Sequence, residues 1–254
     1  MNVLADLAAE HAALNDVLHG LDDVAWRTPT PAEGWDVRDT VAHLAWSEEL
    51  ARLALGDPGR FATIVADPGP AVEAWIERGR SQPGADVLRW WQDARRSTIA
   101  LLADRADGDR VPWGAGPMSP TSFATARLME TWAHGQDVHE ALGLPPAATD
   151  RLRHVAELGV RTRPFSYRVR GLSPPTTEIR VELDPPGGGQ VWAWGPAAAP
   201  DAVRGPALDL CLVVTQRRHP DDTGLVVTGM ARDWLLIAQA FAGPPTGPRP
   251  VQRR

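Results

Sequence analysis

Glu130 and His134 stand four residues apart in RLMETWAHGQDV. On a helix both side chains leave the same face, about 6 Å apart along the axis, where two such groups can share one divalent cation. The same spacing also produces an ordinary intrahelical hydrogen bond or a solvated face, so a third ligand is needed to give it weight. His43 supplies one. It lies in VAHLAW, where Val37, Val41 and Leu44 mark a core-facing surface. A lone histidine in that setting is ordinarily a core residue bonded to a carbonyl or carboxylate. Together with Glu130 and His134 it makes a His/Glu/His set whose fourth position stays open, as a catalytic zinc requires to polarise water or a substrate atom. Such a set takes Zn2+ first, and also Ni2+, Fe2+ or Co2+.

The other histidines are weaker candidates. His139 follows His134 by five residues and points to another face, and His11, His19, His154 and His219 read as surface positions. Cys211, the single cysteine, sits in LDLCLVV, which suits a buried apolar residue better than an exposed nucleophile. Among the eleven tryptophans, Trp35, Trp46, Trp90, Trp91 and Trp132 fall at helical or near-helical positions, where core packing is the ordinary role and a ligand cage the alternative.

The elements that must carry these residues can be read from periodicity. Residues 1 to about 20 form an amphipathic helix through Leu4, Leu7, Leu14 and Leu18. A second helix starts at Asp36, whose side chain caps it with Asp39 three residues on, and runs to about Leu55 before GDPG. A short helix is expected over 70–82 and a long one from Val87 to Ala106. Ser119-Pro120 heads a helix that reaches Leu142 and stops at Gly143. A further helix from about Ala148 must kink or end near Pro164. The period then changes: 178–183 alternates as a strand, DPPGGG turns, and 191–194 returns. Beyond lie a helix over 206–218, an extended piece at 225–227 and a helix over 230–242. The expected fold is α+β overall: a four-helix bundle over 1–165, a small α+β domain over 166–243, and a disordered tail over 244–254.

Composition narrows the function. The formal net charge is −6 and no basic stripe interleaves with aromatics, which argues against nucleic acid as a partner. No apolar run approaches the roughly 18 residues of a membrane span, and Asp6, Glu10 and Asp16 stand where a signal peptide would be apolar. A soluble, cytoplasmic protein without a membrane partner is expected. Every basic side chain is arginine, a bias of GC-rich genomes such as those of actinobacteria.

GWDVRDTVAHLAW followed by METWAHGQDVHEALG resembles the DinB-like metalloprotein superfamily, in particular the mycothiol-dependent maleylpyruvate isomerase group. The resemblance implies that His43, Glu130 and His134 ligate a divalent metal, usually zinc. The stretch from RGPALDLCLVVTQRRH to GMARDWLLIAQAFAG is similar to the sterol-carrier-like domain attached to such bundles. The isomerases also use an arginine from that domain, for which Arg217, Arg218 and Arg232 all qualify.

What the resemblance implies chemically is thiol catalysis. A free thiol with a pKa near 8.5 is only about 3% thiolate at pH 7, and a metal ligates the deprotonated form. The thiolate of mycothiol, as cosubstrate, adds to the activated double bond of a small, electrophilic, anionic substrate. It then allows rotation and leaves, giving isomerisation, or stays attached, giving S-transfer. Two other readings remain open at this point. One is a thiol-independent metalloenzyme, a Lewis-acid lyase, hydrolase or cyclase of a specialised pathway; the other is a non-catalytic small-molecule binding protein.

Overall fold

The computed structural model describes residues 2–114 and 116–251, and the chain divides into two units between Ala147 and Ala148. The first unit holds α1 (Val3–His19), α2 (Val37–Gly56), α3 (Pro58–Ala66), α4 (Gly69–Arg80), α5 (Gly84–Ala103) and α6 (Pro120–Ala141). The long helices α1, α2, α5 and α6 form the four-helix bundle, with α2 packed on α5 and α6, and α1 on α5 and α6.

Each bundle helix begins where its local chemistry dictates. Asn2 caps α1 by accepting from the backbone N–H of Leu4 and Ala5. Asp36 and Asp39 form a reciprocal capping box at the head of α2, with the Asp39 N–H donating to Asp36 Oδ1 at 2.7 Å. Ser119 caps α6 ahead of Pro120, and Gly143 follows the helix at φ +66°. The long helix expected from Val87 starts earlier, at Gly84 directly after Pro83, and Gly84 packs on Trp26 so closely that a Cβ there would lie 2.2 Å from the indole. The sequence reading assigned no element to 57–69, but Asp57 caps α3 with Pro58 at its first turn.

Hydrogen bonds fix the two segments that carry Trp35 and Trp75 beside the head of α2. The segment from Thr28 to Val37 folds back on itself through Thr30 N–H to Trp35 O (2.8 Å) and Val37 N–H to Thr28 O (3.0 Å). Gly34 makes the reversal at φ +75°, a conformation that favours glycine. From α4, Arg80 grips both oxygens of Asp39 at 3.1 Å, anchoring the end of that helix to the capping box of α2.

The second unit contains α7 (Leu152–Arg161), α8 (Arg163–Arg168), β1 (Ile179–Asp184), β2 (Trp192–Trp194), β3 (Asp201–Pro206), α9 (Ala207–Val214), β4 (Val226–Val227) and α10 (Ala231–Ile237). Its sheet runs β2-β1-β3-β4, with β1 antiparallel to β2 and parallel to β3, and β3 antiparallel to β4. Val181, Leu183, Val203, Leu210 and Trp234 are all fully buried in its core.

Several expectations are corrected here. The domain boundary was expected at 165, yet α7 packs on α9 so closely that a Cβ on Gly159 would meet Val214 at 2.8 Å, which assigns the helix to the second unit. Strand β3 was not anticipated; it lies between β1 and β4, with Ala202 and Val203 buried in succession, so no alternation betrays it. The helix expected over 230–242 ends at Ile237, because the backbone N–H of Gln239 donates to Ser166 Oγ (3.0 Å) and that of Ala240 to Val214 O (2.9 Å). The tail expected to be disordered from 244 is held at Thr246, whose Oγ1 donates to Gln216 Oε1 at 2.7 Å. Its last residues, 252–254, lie outside the described residues.

Candidate metal centre

His43 projects from the middle of α2 and Glu130 and His134 from successive turns of α6, so two adjacent helices supply all three side chains. His43 Nε2 lies 3.1 Å from Glu130 Oε1, and His134 Nε2 lies 3.4 Å from the same oxygen. The two imidazole rings meet edge to face at 4.7 Å between centroids. One ligand atom from each residue falls within 4.8 Å of the others. Donors at the corners of a tetrahedron, about 2.05 Å from a central zinc, are roughly 3.3 Å apart, so the donor set fits such an ion in type and spacing. A single His–Glu hydrogen bond has a similar length; three groups converging on one point is the feature it does not explain.

The protonation states suit ligation. Burial pushes the His43 imidazolium below its ordinary 6.5, and the neighbouring His134 pushes it further, against the opposing pull of the Glu130 hydrogen bond. The neutral ring therefore prevails at pH 7, with a lone pair available. Burial alone would raise the Glu130 carboxyl, but hydrogen bonds from His134 and His43 outweigh it and hold the group well below 4.5. Glu130 is thus an anion at neutral pH.

Beyond these three, Asp137 is a site residue that the sequence reading missed. Its Oδ2 lies 3.2 Å from His134 Nδ1 and the side chain is only 1% exposed. A carboxylate at one ring nitrogen favours the tautomer that carries its proton there and leaves Nε2 free to ligate. The i, i+3 spacing of His134 and Asp137 was visible in HGQD, and that was the available signal. Trp35 and Trp75 were not combined with the site either. Trp35 stacks on His134 at 6.1 Å and 21°, lies 5.2 Å from His43, and meets Trp75 edge-on at 5.8 Å. Trp75 in turn meets His43 at 5.8 Å. The indoles form an apolar wall beside the imidazoles.

Cys211 is fully buried in α9, its thiol within 3.5 Å of Leu152 O, and burial pushes its pKa far up, so it is no nucleophile. His11, expected at the surface, is 2% exposed and faces Glu48. In the second unit, Arg217 and Arg218 follow the end of α9, where Arg217 Nη1 donates to Thr215 O at 2.7 Å. Arg232 lies in the first turn of α10, is largely exposed and pairs with Asp221 at 2.9 Å.

Fold and site together define a helical-bundle protein that gathers two histidines and a carboxylate from adjacent helices, followed by an α+β unit. Within that class the chain belongs to the mycothiol maleylpyruvate isomerase N-terminal domain family, which residues 7–139 match. Two relatives, uncharacterized proteins of Mycobacterium tuberculosis strains CDC 1551 / Oshkosh and ATCC 25618 / H37Rv, are each 42% identical over 247 residues, 95% of this chain and 96% of theirs. Crystal structures of the mycothiol-dependent maleylpyruvate isomerase and of a histidine-to-alanine mutant of it share the fold at a TM-score of 0.58, covering 89% of this chain and 91% of that one. Their identities to this chain are 15% and 14% respectively, so the likeness is one of architecture. Among the described residues no helix is long and apolar enough to cross a membrane.

Proposed function

We propose that this protein is a metal-dependent enzyme that uses a small thiol, mycothiol, to isomerise a small, electrophilic, anionic substrate or to attach the thiol to it. The observation that carries the reading is the convergence of one ligand atom each from His43, Glu130 and His134 within 4.8 Å of one another, on a chain of this family. The bound divalent ion, Zn2+ in the first instance and Ni2+, Fe2+ or Co2+ as substitutes, supplies Lewis acidity that favours the thiolate over the thiol at pH 7.

The rest of the chemistry falls to the protein's own side chains. His43 and His134 offer their Nε2 atoms as ligands, and Glu130 contributes one negative charge that offsets part of a dication's. Asp137 fixes the His134 ring. Trp35 and Trp75 exclude water from one side, which strengthens the electrostatic interactions inside the site. We assign to an arginine of the second unit, Arg217, Arg218 or Arg232, the task of holding a carboxylate or enolate oxygen of the substrate. The reaction takes place in the cytoplasm, where a reduced thiol pool is maintained.

Calorimetric titration of metal-loaded and chelator-stripped protein with mycothiol tests the proposal. The expected result is saturable binding to the loaded protein and none to the stripped protein. Equal binding to both forms would reject the role of the ion, and no binding to either would reject the thiol in favour of a thiol-independent reaction. Lysine substitutions at Arg217, Arg218 and Arg232 then identify the substrate clamp, because lysine keeps the charge but loses the two-pronged geometry.

A further inference from the structure

One helical turn beyond His43 on α2, and one turn before Glu130 on α6, the same two helices meet through a second set of polar contacts. Arg127 Nε donates to Glu48 Oε1 at 3.1 Å, and its Nη2 donates to Ser47 Oγ at 2.6 Å. The guanidinium thus bridges two consecutive residues of α2 while only 3% exposed, and Glu48 is fully buried. The other bundle helices adjoin this layer. From α1, His11 Nε2 lies 3.6 Å from Glu48 Oε1 and its ring meets Trp91 of α5 edge-on at 5.7 Å. From α5, Thr98 Oγ1 donates to the Glu48 carbonyl at 3.1 Å.

Stability is a poor explanation for this layer. Replacing a buried ion pair with well-packed apolar residues is often neutral or stabilising, because the attraction must first repay the desolvation of both charges. Here the repayment is incomplete: Glu48 Oε2, both ring nitrogens of His11 and Trp91 Nε1 have no hydrogen-bond partner among the described residues. What directional bonds add, and apolar contacts do not, is register. Sliding α6 along α2 by one helical turn, about 5.4 Å, would carry both Arg127 bonds beyond hydrogen-bond length. Ligand distances tolerate only about 0.2 Å, and His43 and Glu130 face each other at 3.1 Å across the same seam.

We propose that Arg127, Glu48 and Ser47 form a register clamp that fixes α6 against α2 and thereby positions Glu130 opposite His43. These are positioning residues; none is among the three candidate ligands. The inference rests on the reading of His43, Glu130 and His134 as ligands.

The test uses Co2+ as the probe, titrated into the full-length chelator-stripped chain and followed by its visible absorption. The combined variant Glu48→Met, Arg127→Met is expected to unfold cooperatively at or above the wild-type Tm, yet to bind Co2+ at least about tenfold more weakly and with an altered band. Ser47→Ala removes a single arm with little risk to folding and should weaken Co2+ binding by a smaller factor. Arg127→Lys keeps the charge and loses the bridging edge, so it should not restore the wild-type spectrum. Wild-type affinity and band in the double variant would overturn the clamp. If that variant fails to fold, wild-type Co2+ binding by both Ser47→Ala and Arg127→Lys overturns it equally. A wild-type chain that takes up no Co2+ would instead overturn the ligand reading, and the clamp with it.

Discussion

His134 Nδ1 lies 3.2 Å from Asp137 Oδ2, one turn along the same helix, and that carboxylate is almost fully enclosed. The contact selects which nitrogen of His134 faces Glu130 and His43. We expect Asp137→Asn to leave the helical circular dichroism signal intact and to weaken zinc binding by about 10- to 100-fold. Competition with a chromophoric chelator measures it; unchanged affinity would mean that Asp137 does not orient the ring.

His43 and His134 stand on different helices, so neither can replace the other. His43→Ala and His134→Ala should each reduce the metal content of chelator-free preparations from about one ion per chain to near zero, since two remaining ligands rarely hold zinc. Elemental analysis of both variants decides the point.

Removing the ion should cost stability without unfolding the bundle. Leu7, Leu18, Val41, Leu44, Trp91 and Leu128 are buried in the first unit independently of any ion. The chelator-treated chain is expected to keep its helical spectrum and to melt at a lower temperature, by an amount set by the lost binding energy. A random-coil spectrum would make the ion a structural element instead.

Acid should destabilise the fold through Glu48. Burial alone would raise its carboxyl, but Arg127, then His11 and Thr98, bring it down from 4.5 to about 2. Its folded value lies below the unfolded one, so the unfolded chain binds the proton more tightly. The advantage of the ionised over the protonated carboxyl, on the order of 3 kcal/mol, is complete above the unfolded value and is lost as pH falls from about 4.5 towards about 2. Urea unfolding at pH 6 and pH 3 should show the loss in the wild type and a smaller one in Glu48→Gln. An equal drop in both would assign the acid sensitivity to other carboxylates.

Gly79 on α4 faces Ala42 on α2, and a Cβ added there would lie 2.6 Å from the Ala42 Cβ. Trp75, one turn earlier on α4, packs against His43 and Trp35. Gly79→Ala should therefore lift this face of α4, cost about 1–3 kcal/mol and shift the tryptophan fluorescence to longer wavelength as Trp75 gains water. An unshifted spectrum with full stability would show that α4 adjusts without moving the wall.

Much of this protein could be read from local sequence. The Asp36/Asp39 box, the Ser119-Pro120 start and the Gly143 stop are signals contained within a few residues, and the structure places helix ends at each of them. The strand pair 179–184 and 192–194 was legible because one strand alternates and a glycine-rich turn separates the two. The triad was also legible, since Glu130 and His134 share a helix face by spacing and His43 stood on an apolar surface that had to turn inward.

The tertiary structure decided what depends on contacts between residues far apart in the chain. Whether Arg127 and Glu48 would meet in the core, or remain two solvated charges, turns on how α6 packs against α2, and no local period encodes that. His11 is buried because Glu48 and Trp91 come to it from two other helices. Strand β3 is defined by its partners on both sides, and α7 joins the second unit through Gly159 against Val214. The sequence determined the helices and the residues able to ligate, because capping and periodicity act within one or two turns. Which groups converge at 3 to 4 Å was decided by packing between elements, where the interaction energy depends on distances that only the folded chain defines.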